Sequence, residues 1–420
     1  MQEILHKLEH MKTAKVILRT LSTEKKNEVL QRLADNLYLH CAEVLEANQL
    51  DVEDYNRSAG FQRAFVDRLT LTDRRIQQMA ESLREVIELP DPVGQRVESR
   101  RLENGLVLNK VRSPLGLIFL IFEARPNVIT EAFSLALKSG NGLILKGGKE
   151  SDRTCRVIYR LIEDSVSEAN LTKEIFWGLV GASRETTDFL MQQNKFIDVL
   201  IPRGGERLIE HVTQTATIPI VKNDRGLCHI YVHEQADFEM AVQIVENAKT
   251  QRPSVCNATE TLLVDASIAP QFLPLIYQDL RAKGVEFYVC PATAKILGSK
   301  AGVHRATDHS FDTEYLDLKL NVKIVENLDH ALLHIERHGS HHSEAIITRD
   351  AKVAVQFQNS VDAAVVYWNA STRFTDGGQM GLGAEIGIST QKLHVRGPVG
   401  LEALTSIRWV IDGQGQTRIS

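Results

Sequence analysis

Apolar residues recur at helical spacing through the first ninety residues of the chain. The positions are Leu30, Leu33, Leu37, Ile76, Met79, Leu83 and Val86. Side chains three and four residues apart lie on one face of a helix, so this spacing predicts amphipathic helices. Ser22 and Thr72 are predicted to cap two of them, because a hydroxyl accepts from the first backbone N–H groups of a helix. Pro90 is predicted to end the last of these helices.

After Pro92, the spacing of apolar residues changes from the helical repeat to an alternation with a period of two residues. Leu102, Leu106 and Leu108 alternate with polar residues around Asn104-Gly105. An Asn-Gly pair supplies the positive φ that a tight hairpin turn needs. Residues 97–111 are therefore predicted to form a β-hairpin.

From Leu115 onward, short β-rich segments alternate with helical segments. The predicted strands are 117–122, 142–146, 175–180, 197–201, 229–232, 261–264, 286–289, 322–325, 345–348 and 363–369. The predicted helices are 128–138, 152–169, 184–193, 206–213, 269–283 and 328–337. Such alternation is typical of parallel sheets with crossover helices, and its restart after residue 256 predicts two α/β domains with a cleft between them.

Composition excludes several classes of protein. Hydrophobic residues make up 43% of the 420 and charged residues 25%, which is a globular mixture. The longest apolar run, residues 115–122, is far shorter than the ~20 residues of a membrane-spanning helix. Lys and Arg total 49 against 54 for Asp and Glu, without a basic stripe, so neither nucleic acid nor a membrane is an expected partner. The five cysteines form no C-x-x-C pair, and the N-terminus is too polar for a signal peptide, so a cytoplasmic protein is expected.

One cysteine lies in a polar loop just before a predicted strand. Cys256 follows the segment Thr250–Val255, which contains Arg252. A nucleophilic thiolate needs an electropositive, partly exposed setting, which Arg252 and the loop amides are able to supply. A buried structural cysteine is the alternative interpretation.

Glycine-rich segments follow two predicted strands. Residues 202–207 (PRGGER) open a helix, where backbone amides favour a phosphate, although a tight turn explains them equally well. Residues 146–149 (KGGK) pair two amines with two glycines, and a solvated lysine pair is the alternative there. A third cluster, residues 377–387, predicts a backbone-defined loop.

Five histidines occur close together, at positions 330, 334, 338, 341 and 342. A metal site is conceivable at this spacing, but only Glu336 and Glu344 lie near in the sequence. A polar outer helix face explains the spacing, so no metal is expected.

Taken together, five segments closely resemble the γ-glutamyl phosphate reductases, the proline-biosynthesis branch of the aldehyde dehydrogenase superfamily. The segments are 122–127 (FEARPN), 145–148 (LKGG), 201–205 (IPRGG), 255–263 (VCNATETLL) and 369–378 (NASTRFTDGG). They keep the order of that family, and the resemblance runs from about Ser22 to Gly413. It implies an aldehyde-dehydrogenase-like α/β fold: two Rossmann-like domains with parallel-rich sheets plus an oligomerisation β-hairpin.

The resemblance also implies domain boundaries. Residues 1–97 and 114–248 are expected to form a cofactor-binding domain, and residues 249–390 a catalytic domain. Residues 98–113 and 391–420 are expected to form the oligomerisation flap, which implies a homodimer or homotetramer.

The implied activity is NADPH-dependent reduction of L-glutamate 5-phosphate to L-glutamate 5-semialdehyde and phosphate. Cys256 is the implied nucleophile, forming a thioester that accepts hydride. Its backbone N–H, with Asn257 or the Arg125 region, would stabilise the oxyanion. An ungapped match puts Arg125 where relatives carry an asparagine, with Asn127 two residues on, and both remain candidates.

Two departures from the oxidising aldehyde dehydrogenases bear on the reaction. Those enzymes carry a water-activating glutamate, whereas the matching stretch 222–226 has Lys222 in its place. Losing that base suits an enzyme whose thioester must not be hydrolysed. NAD-using relatives carry a glutamate where this chain has Lys149, and a cation there favours the 2′-phosphate of NADPH.

The remaining implied site residues contact cofactor or substrate. The expected cofactor-binding residues are Lys146, Gly147, Gly148, Lys149, Arg203, Gly204, Gly205 and Glu314. Ser371, Thr372 and Arg373 are expected to bind the substrate carboxylate, and His342 the phosphate.

Two other functions stay open at this stage. A CoA-acylating aldehyde dehydrogenase also forms a thioester and also lacks the hydrolytic base. A catalytically silent scaffold with this fold is disfavoured by the intact Cys256 and glycine loops. Association with glutamate 5-kinase, which makes the unstable substrate, is a further possible partnership.

Overall fold

The computed structural model describes residues 1–58, 63–222 and 225–418. The chain divides into two compact units. The first comprises Met1–Lys222, Gly381–Gly387 and Pro398–Ser420, and the second Asn223–Met380 and Ile388–Gly397. The first unit ends earlier than the expected boundary at residue 248, because the strand and helix that follow Lys222 pack into the second sheet.

The N-terminal region is helical, as the apolar spacing predicts. Its helices are α1 (Gln2–Leu18), α2 (Thr23–Leu39), α3 (Cys41–Asn56), α4 (Arg63–Leu69) and α5 (Asp73–Glu88). Both predicted caps are confirmed, since Ser22 Oγ accepts from the Lys25 N–H at 3.3 Å and Thr72 Oγ1 from the Arg75 N–H at 3.2 Å. Helix α5 ends at Glu88, ahead of Pro90.

A four-stranded parallel sheet forms the centre of the first unit. Its strands are β3 (Leu117–Phe122), β4 (Gly142–Lys146), β5 (Phe176–Leu179) and β6 (Val199–Arg203), in the order β5-β4-β3-β6. The connecting helices are α6 (Val128–Lys138), α7 (Asp152–Glu168), α8 (Arg184–Leu190) and α9 (Glu206–Thr215). Every residue of β3 is buried, which explains its unbroken apolar sequence.

The predicted hairpin is confirmed, and a third strand joins it. Strands β1 (Arg96–Arg101) and β2 (Val107–Pro114) pair antiparallel, and β16 (Thr405–Asp412) pairs with the other edge of β2. Gly105 turns the hairpin with φ +90°. This small sheet joins the two segments expected in the flap, 98–113 and 391–420, through residues 405–412.

The second unit is built on a seven-stranded, fully parallel sheet. Its strands are β7 (Cys228–Val232), β8 (Thr259–Asp265), β9 (Glu286–Val289), β10 (Val303–Arg305), β11 (Lys319–Val325), β12 (Ser343–Ile347) and β13 (Val365–Trp368), in the order β10-β9-β11-β8-β7-β12-β13. Its helices are α10 (Phe238–Thr250), α11 (Ala269–Ala282), α12 (Pro291–Leu297), α13 (Asp308–Phe311), α14 (Leu328–His338) and α15 (Ala351–Ser360). Two short strands follow, β14 (Ile388–Ser389) and β15 (Gly397–Pro398).

Apolar side chains fill both faces of this sheet. Ile230, Leu262 and Val322 pack with α10 and α11 on one face, whereas Tyr231, Leu263 and α14 line the other. The two parallel sheets confirm the α/β class. Across the described residues, none of the helices is long and apolar enough to cross a membrane.

Candidate active site

The nucleophile candidate Cys256 lies in the loop between α10 and β8. Its sulfur is not part of a disulfide, and its side chain is partly exposed. The Ala258 N–H donates to the Val255 carbonyl at 3.1 Å, so the chain turns tightly at the cysteine. Gly226 lies directly behind, and a Cβ added there would collide with the Cys256 carbonyl. The backbone of Cys256 is therefore held by close packing.

A second cysteine supports this backbone from below. Cys228, the first residue of β7, donates its thiol proton to the Cys256 carbonyl at 3.3 Å. Burial raises the pKa of the Cys228 thiol well above its usual value, so the group stays protonated and remains a donor. Sequence reasoning missed this contact, since 28 residues separate the two positions.

Asn257, expected to help stabilise the oxyanion, is buried and engaged with its own loop surroundings. Its side-chain Nδ2 donates to the Thr375 carbonyl at 2.9 Å, and its Oδ1 accepts from the Arg373 guanidinium. Thr372 Oγ1 donates to the Asn257 carbonyl at 2.7 Å. These bonds fix the nucleophile loop to the segment 371–375.

The expected substrate residues 371–373 differ in exposure. Ser371 and Thr372 are buried, and Ser371 Oγ accepts from the Arg373 N–H at 3.2 Å. Arg373 is partly exposed and donates through Nε to Gln251 at 2.9 Å. Burial and the neighbouring Arg252 lower the pKa of Arg373, but a guanidinium at neutral pH remains charged. Arg252 and Arg373 thus supply two cations beside the nucleophile loop.

His342, expected to meet the phosphate, is fully buried. Its Nδ1 lies 2.8 Å from Ser343 Oγ and 3.7 Å from Cys228 Sγ. Ser343 Oγ in turn lies 2.6 Å from Thr375 Oγ1, which is 2.9 Å from the Tyr367 hydroxyl. The structure therefore places His342 in the polar network beneath the loop.

Glu314 reaches the same region from the loop after α13. Its Oε1 accepts from the Gly226 N–H at 2.9 Å. Because Gly226 packs on Cys256, this expected cofactor residue is tied to the nucleophile through one backbone amide. The stretch 222–226, which begins at Lys222 and ends at Gly226, is described only in part. Asn223 and Asp224 lie outside the described residues.

The glycine and lysine residues expected to bind cofactor all lie in the first unit. Gly147 packs inward, and a Cβ there would lie 2.7 Å from Cys155 Sγ, whereas Lys149 is exposed. In the described part of the chain, no hydrogen bond or ion pair joins the Lys149 side chain to another residue. The segment that follows β4 thus presents an available cation at Lys149.

The N-terminus of α9, which was expected to bind phosphate, already donates a backbone hydrogen bond to a side chain. Gly205 donates its N–H to Glu123 Oε2 at 2.8 Å, at the first turn of α9. Gly204 packs so closely on the same carboxylate that a Cβ would lie 2.5 Å from Oε2. A phosphate at this turn would have to displace an exposed side chain.

Arg125 and Asn127, the first-unit candidates for stabilising the oxyanion, both interact with Glu131, a carboxylate that sequence reasoning missed. Asn127 Nδ2 donates to Glu131 Oε1 at 2.8 Å. Burial raises the pKa of Glu131, while Asn127, Arg203 and Arg125 act in the opposite direction.

The Arg203 guanidinium packs so tightly against Gly387 that a Cβ there would collide with it. Arg203 is thereby placed beside the glycine-rich segment 381–387.

The histidine cluster is more buried than expected. His334 and His338 have only 5% and 7% exposure and pack against Phe311, so the expectation of a polar outer face was wrong for these two. Burial lowers the pKa of His334 to about 2 and keeps its ring neutral. Among the described residues, no group of three or more His, Cys, Asp or Glu side chains is arranged to hold a metal ion.

Comparisons with known proteins agree with one another. The model of the Aldehyde dehydrogenase family matches residues 2–286. The gamma-glutamyl phosphate reductase of Carboxydothermus hydrogenoformans is 48% identical over 422 residues, covering 100% of both chains, and that of Caldicellulosiruptor bescii is 46% identical over 420 residues, again covering 100% of both. The crystal structure of gamma-glutamyl phosphate reductase from Thermotoga maritima superposes with a TM-score of 0.95 at 42% identity, covering 99% of this chain and 100% of that one.

Proposed function

This chain belongs to the aldehyde dehydrogenase family, and from that premise we propose that it reduces L-glutamate 5-phosphate to L-glutamate 5-semialdehyde and phosphate. The relatives that match it over its whole length are gamma-glutamyl phosphate reductases. The observation that supports the chemistry is the partly exposed Cys256 thiol in a loop flanked by Arg252 and Arg373. The semialdehyde cyclises spontaneously to the pyrroline from which proline is made.

The first step joins Cys256 to the substrate. The thiolate attacks the acyl phosphate carbonyl, the C–O bond to phosphate breaks, and a thioester remains on Sγ. Phosphate leaves as a stable anion, so no acid has to protonate it. Arg252 and Arg373 favour both the thiolate and the anionic leaving group.

The oxyanion formed during attack needs hydrogen-bond donors. Asn257 has its amide engaged with Thr375 and Arg373, so we assign it the role of holding the loop. The Cys256 backbone N–H is then the first donor in the second unit. Arg125 and Asn127 remain the candidates in the first unit, with Glu131 orienting the Asn127 amide.

The family uses a nicotinamide cofactor, which supplies the hydride that converts the thioester carbon to an aldehyde. As the C–S bond breaks, Cys256 is released as a thiolate, ready for another turnover. Over the whole cycle one hydride and one proton are consumed, and phosphate is released.

We assign the cofactor as NADPH on the chemistry of the chain's own donors. Lys149 is exposed and available three residues after the end of β4, which suits a 2′-phosphate. Lys146 is the second cation of this segment, and Gly147 and Gly148 keep its backbone compact. At the N-terminus of α9 the residues fit the cofactor only in part, because Glu123 already accepts from the Gly205 N–H that would otherwise bind a phosphate. Glu314, beside Cys256, is assigned to the nicotinamide ribose.

The test runs the reaction in reverse. With glutamate semialdehyde and NADP⁺, cleavage of the thioester should require inorganic phosphate, because Lys222 replaces the water-activating glutamate. Turnover should rise with phosphate to saturation, and CoA should not replace it. Cys256→Ala should abolish turnover in both directions, whereas Cys41→Ala, in helix α3 of the other unit, should retain it.

Two outcomes would contradict this assignment. Formation of glutamate without phosphate would show that another residue activates water and that the enzyme is an oxidising dehydrogenase. A strict requirement for CoA would favour the acylating alternative.

A further inference from the structure

A buried ion pair closes the base of the nucleophile loop. Lys249, in the last turn of α10, places its Nζ 3.0 Å from Glu260 Oε2, in strand β8. The two side chains are 0% and 1% exposed. Lys249 Nζ also donates to the Thr259 carbonyl at 3.0 Å. The two residues therefore join the chain just before and just after the loop that carries Cys256.

The strand is irregular at Glu260. Cys228 of β7 pairs with Thr259 of β8, but the next residue, His229, pairs with Thr261. Glu260 is thus an extra residue, a β-bulge, and the pairing of β8 with β11 begins only at Thr261. Bulges often occur beside active sites, where they redirect a side chain. Here the bulge directs the carboxylate to Lys249 on α10.

The other carboxylate oxygen holds a second functional segment. Glu260 Oε1 accepts from the Leu316 N–H at 3.2 Å. Leu316 has φ +52°, a left-handed conformation that a leucine adopts only when its surroundings impose it. Leu316 lies two residues after Glu314, whose side chain accepts from the Gly226 N–H. Gly226 in turn packs on the backbone of Cys256. These contacts form a closed ring that returns to the nucleophile.

Burial dominates the electrostatics of the pair. It raises the pKa of Glu260 to about 7, while Lys249 and the Leu316 N–H act in the opposite direction. Glu314 adds to the increase. Burial likewise lowers the pKa of Lys249, opposed by Glu260, Asp317 and Cys228. Tyr315 is a further titratable group near Glu260.

A buried ion pair is not required for stability, since well-packed apolar side chains often serve as well or better. The pair of Lys249 and Glu260 joins both ends of the nucleophile loop to the segment that contains Leu316. Such a pair has a different use, because it fixes the positions of these segments relative to one another. We propose that Glu260, oriented by Lys249, is a positioning residue that sets the location of Cys256 and of Glu314 together. This rests on the assignment of Cys256 as nucleophile and of Glu314 as cofactor residue under the proposed function.

The test compares Glu260→Gln with a matched control. Glutamine keeps the size and an acceptor for the Leu316 N–H but removes the charge that holds Lys249. The control is Glu246→Gln on the same helix, which breaks a partly exposed pair with Lys283 at 2.7 Å. Two quantities are measured: the rate of Cys256 alkylation by iodoacetamide, followed on its own peptide by mass spectrometry, and the KM and kcat for each substrate.

Glu260→Gln should slow alkylation by about tenfold or more at neutral pH and reduce kcat similarly, because the thiol is displaced. It should also raise the KM for NADPH more than the KM for the acyl phosphate, because Glu314 moves. The alkylation–pH profile of the wild type should contain an ionisation near pH 7 that the variant lacks. Glu246→Gln should change none of these rates by more than about twofold.

A lower melting temperature with unchanged alkylation, kcat and KM would overturn the proposal and make the pair a structural element only. If Glu260→Gln does not fold, the double variant K249M/E260Q carries the test, because it leaves no unpaired buried charge. Alkylation needs neither acyl phosphate nor cofactor. A slowed alkylation in an enzyme that fails to reduce L-glutamate 5-phosphate would therefore refute the proposed function and retain this inference.

Discussion

Replacing Gly226 by alanine tests how closely the backbone of Cys256 is positioned. Gly226 is buried, and its φ lies outside the left-handed region, so an alanine is acceptable to the backbone itself. The added methyl group would lie 2.5 Å from the Cys256 Cα and closer still to the carbonyl oxygen. Both neighbours are backbone atoms, which do not move aside as a flexible side chain does. The conflict must therefore displace the nucleophile loop.

The size of the displacement follows from ordinary contact distances. Carbon atoms rest about 3.5–4.0 Å apart, so the loop has to move by about 1 Å. A misplacement of this size costs on the order of 100-fold in rate, or about 2.7 kcal/mol of transition-state stabilisation. We expect kcat/KM for the acyl phosphate to fall by that factor. The same shift weakens the bond from the Gly226 N–H to Glu314, so the KM for NADPH should rise.

The assay is initial-rate kinetics with both substrates varied, together with circular dichroism and a melting curve. The control is Gly298→Ala at the end of α12, where φ is +66° and the space around the missing Cβ is open. That variant should lose about 1–3 kcal/mol of stability, because φ +66° with ψ −160° is a conformation that essentially only glycine adopts, and it should retain its kcat. A Gly226→Ala enzyme with kcat/KM within about threefold of wild type would refute the reasoning, since the loop would then tolerate a displacement of about 1 Å.

Two further predictions concern charges. Lys149→Glu should shift the ratio of kcat/KM for NADPH over NADH toward NADH, because a carboxylate repels the 2′-phosphate, and an unchanged ratio would place the recognition of that phosphate elsewhere. Asp362→Asn should flatten the dependence of melting temperature on pH below about pH 4. Lys392 and Arg396 lower the pKa of Asp362 to about 2, so its contribution to stability is present above the unfolded pKa and is lost as the pH falls toward 2. Solvent screening limits that contribution to less than about 1 kcal/mol, and an identical slope in wild type and variant would contradict it.

The fold was largely predictable because its elements are regular and locally encoded. Strand β3 and helix α6 begin and end at the predicted residues, since an eight-residue apolar run and a 3.6-residue period both reflect burial directly. Helix α10, at residues 238–250, was not among the predicted elements. Its buried face includes Lys249, whose charge breaks the apolar pattern and whose partner lies across the loop.

The site was predictable only in part, because its second layer depends on strand pairing. Cys256 stands out as the one cysteine in a polar loop. Cys228 looks like an ordinary strand residue until the pairing of β7 with β8 brings it under the Cys256 carbonyl. His342 belongs to the expected set, yet its position just before β12 buries it. Burial and register are properties of the assembled sheet, and short motifs do not encode them.

In the proposed reaction, the cations around the nucleophile loop would both activate the Cys256 thiol and favour release of phosphate without an acid. The thiolate is favoured by cations, and so is the anion that it expels. Arg373 is fixed by Asn257 and Gln251, so its charge is oriented before substrate arrives. A preoriented cation stabilises developing negative charge without reorganisation during the reaction. Under the proposed function, Lys222 takes the place of the water-activating base, so phosphate would accept the acyl group in the reverse direction.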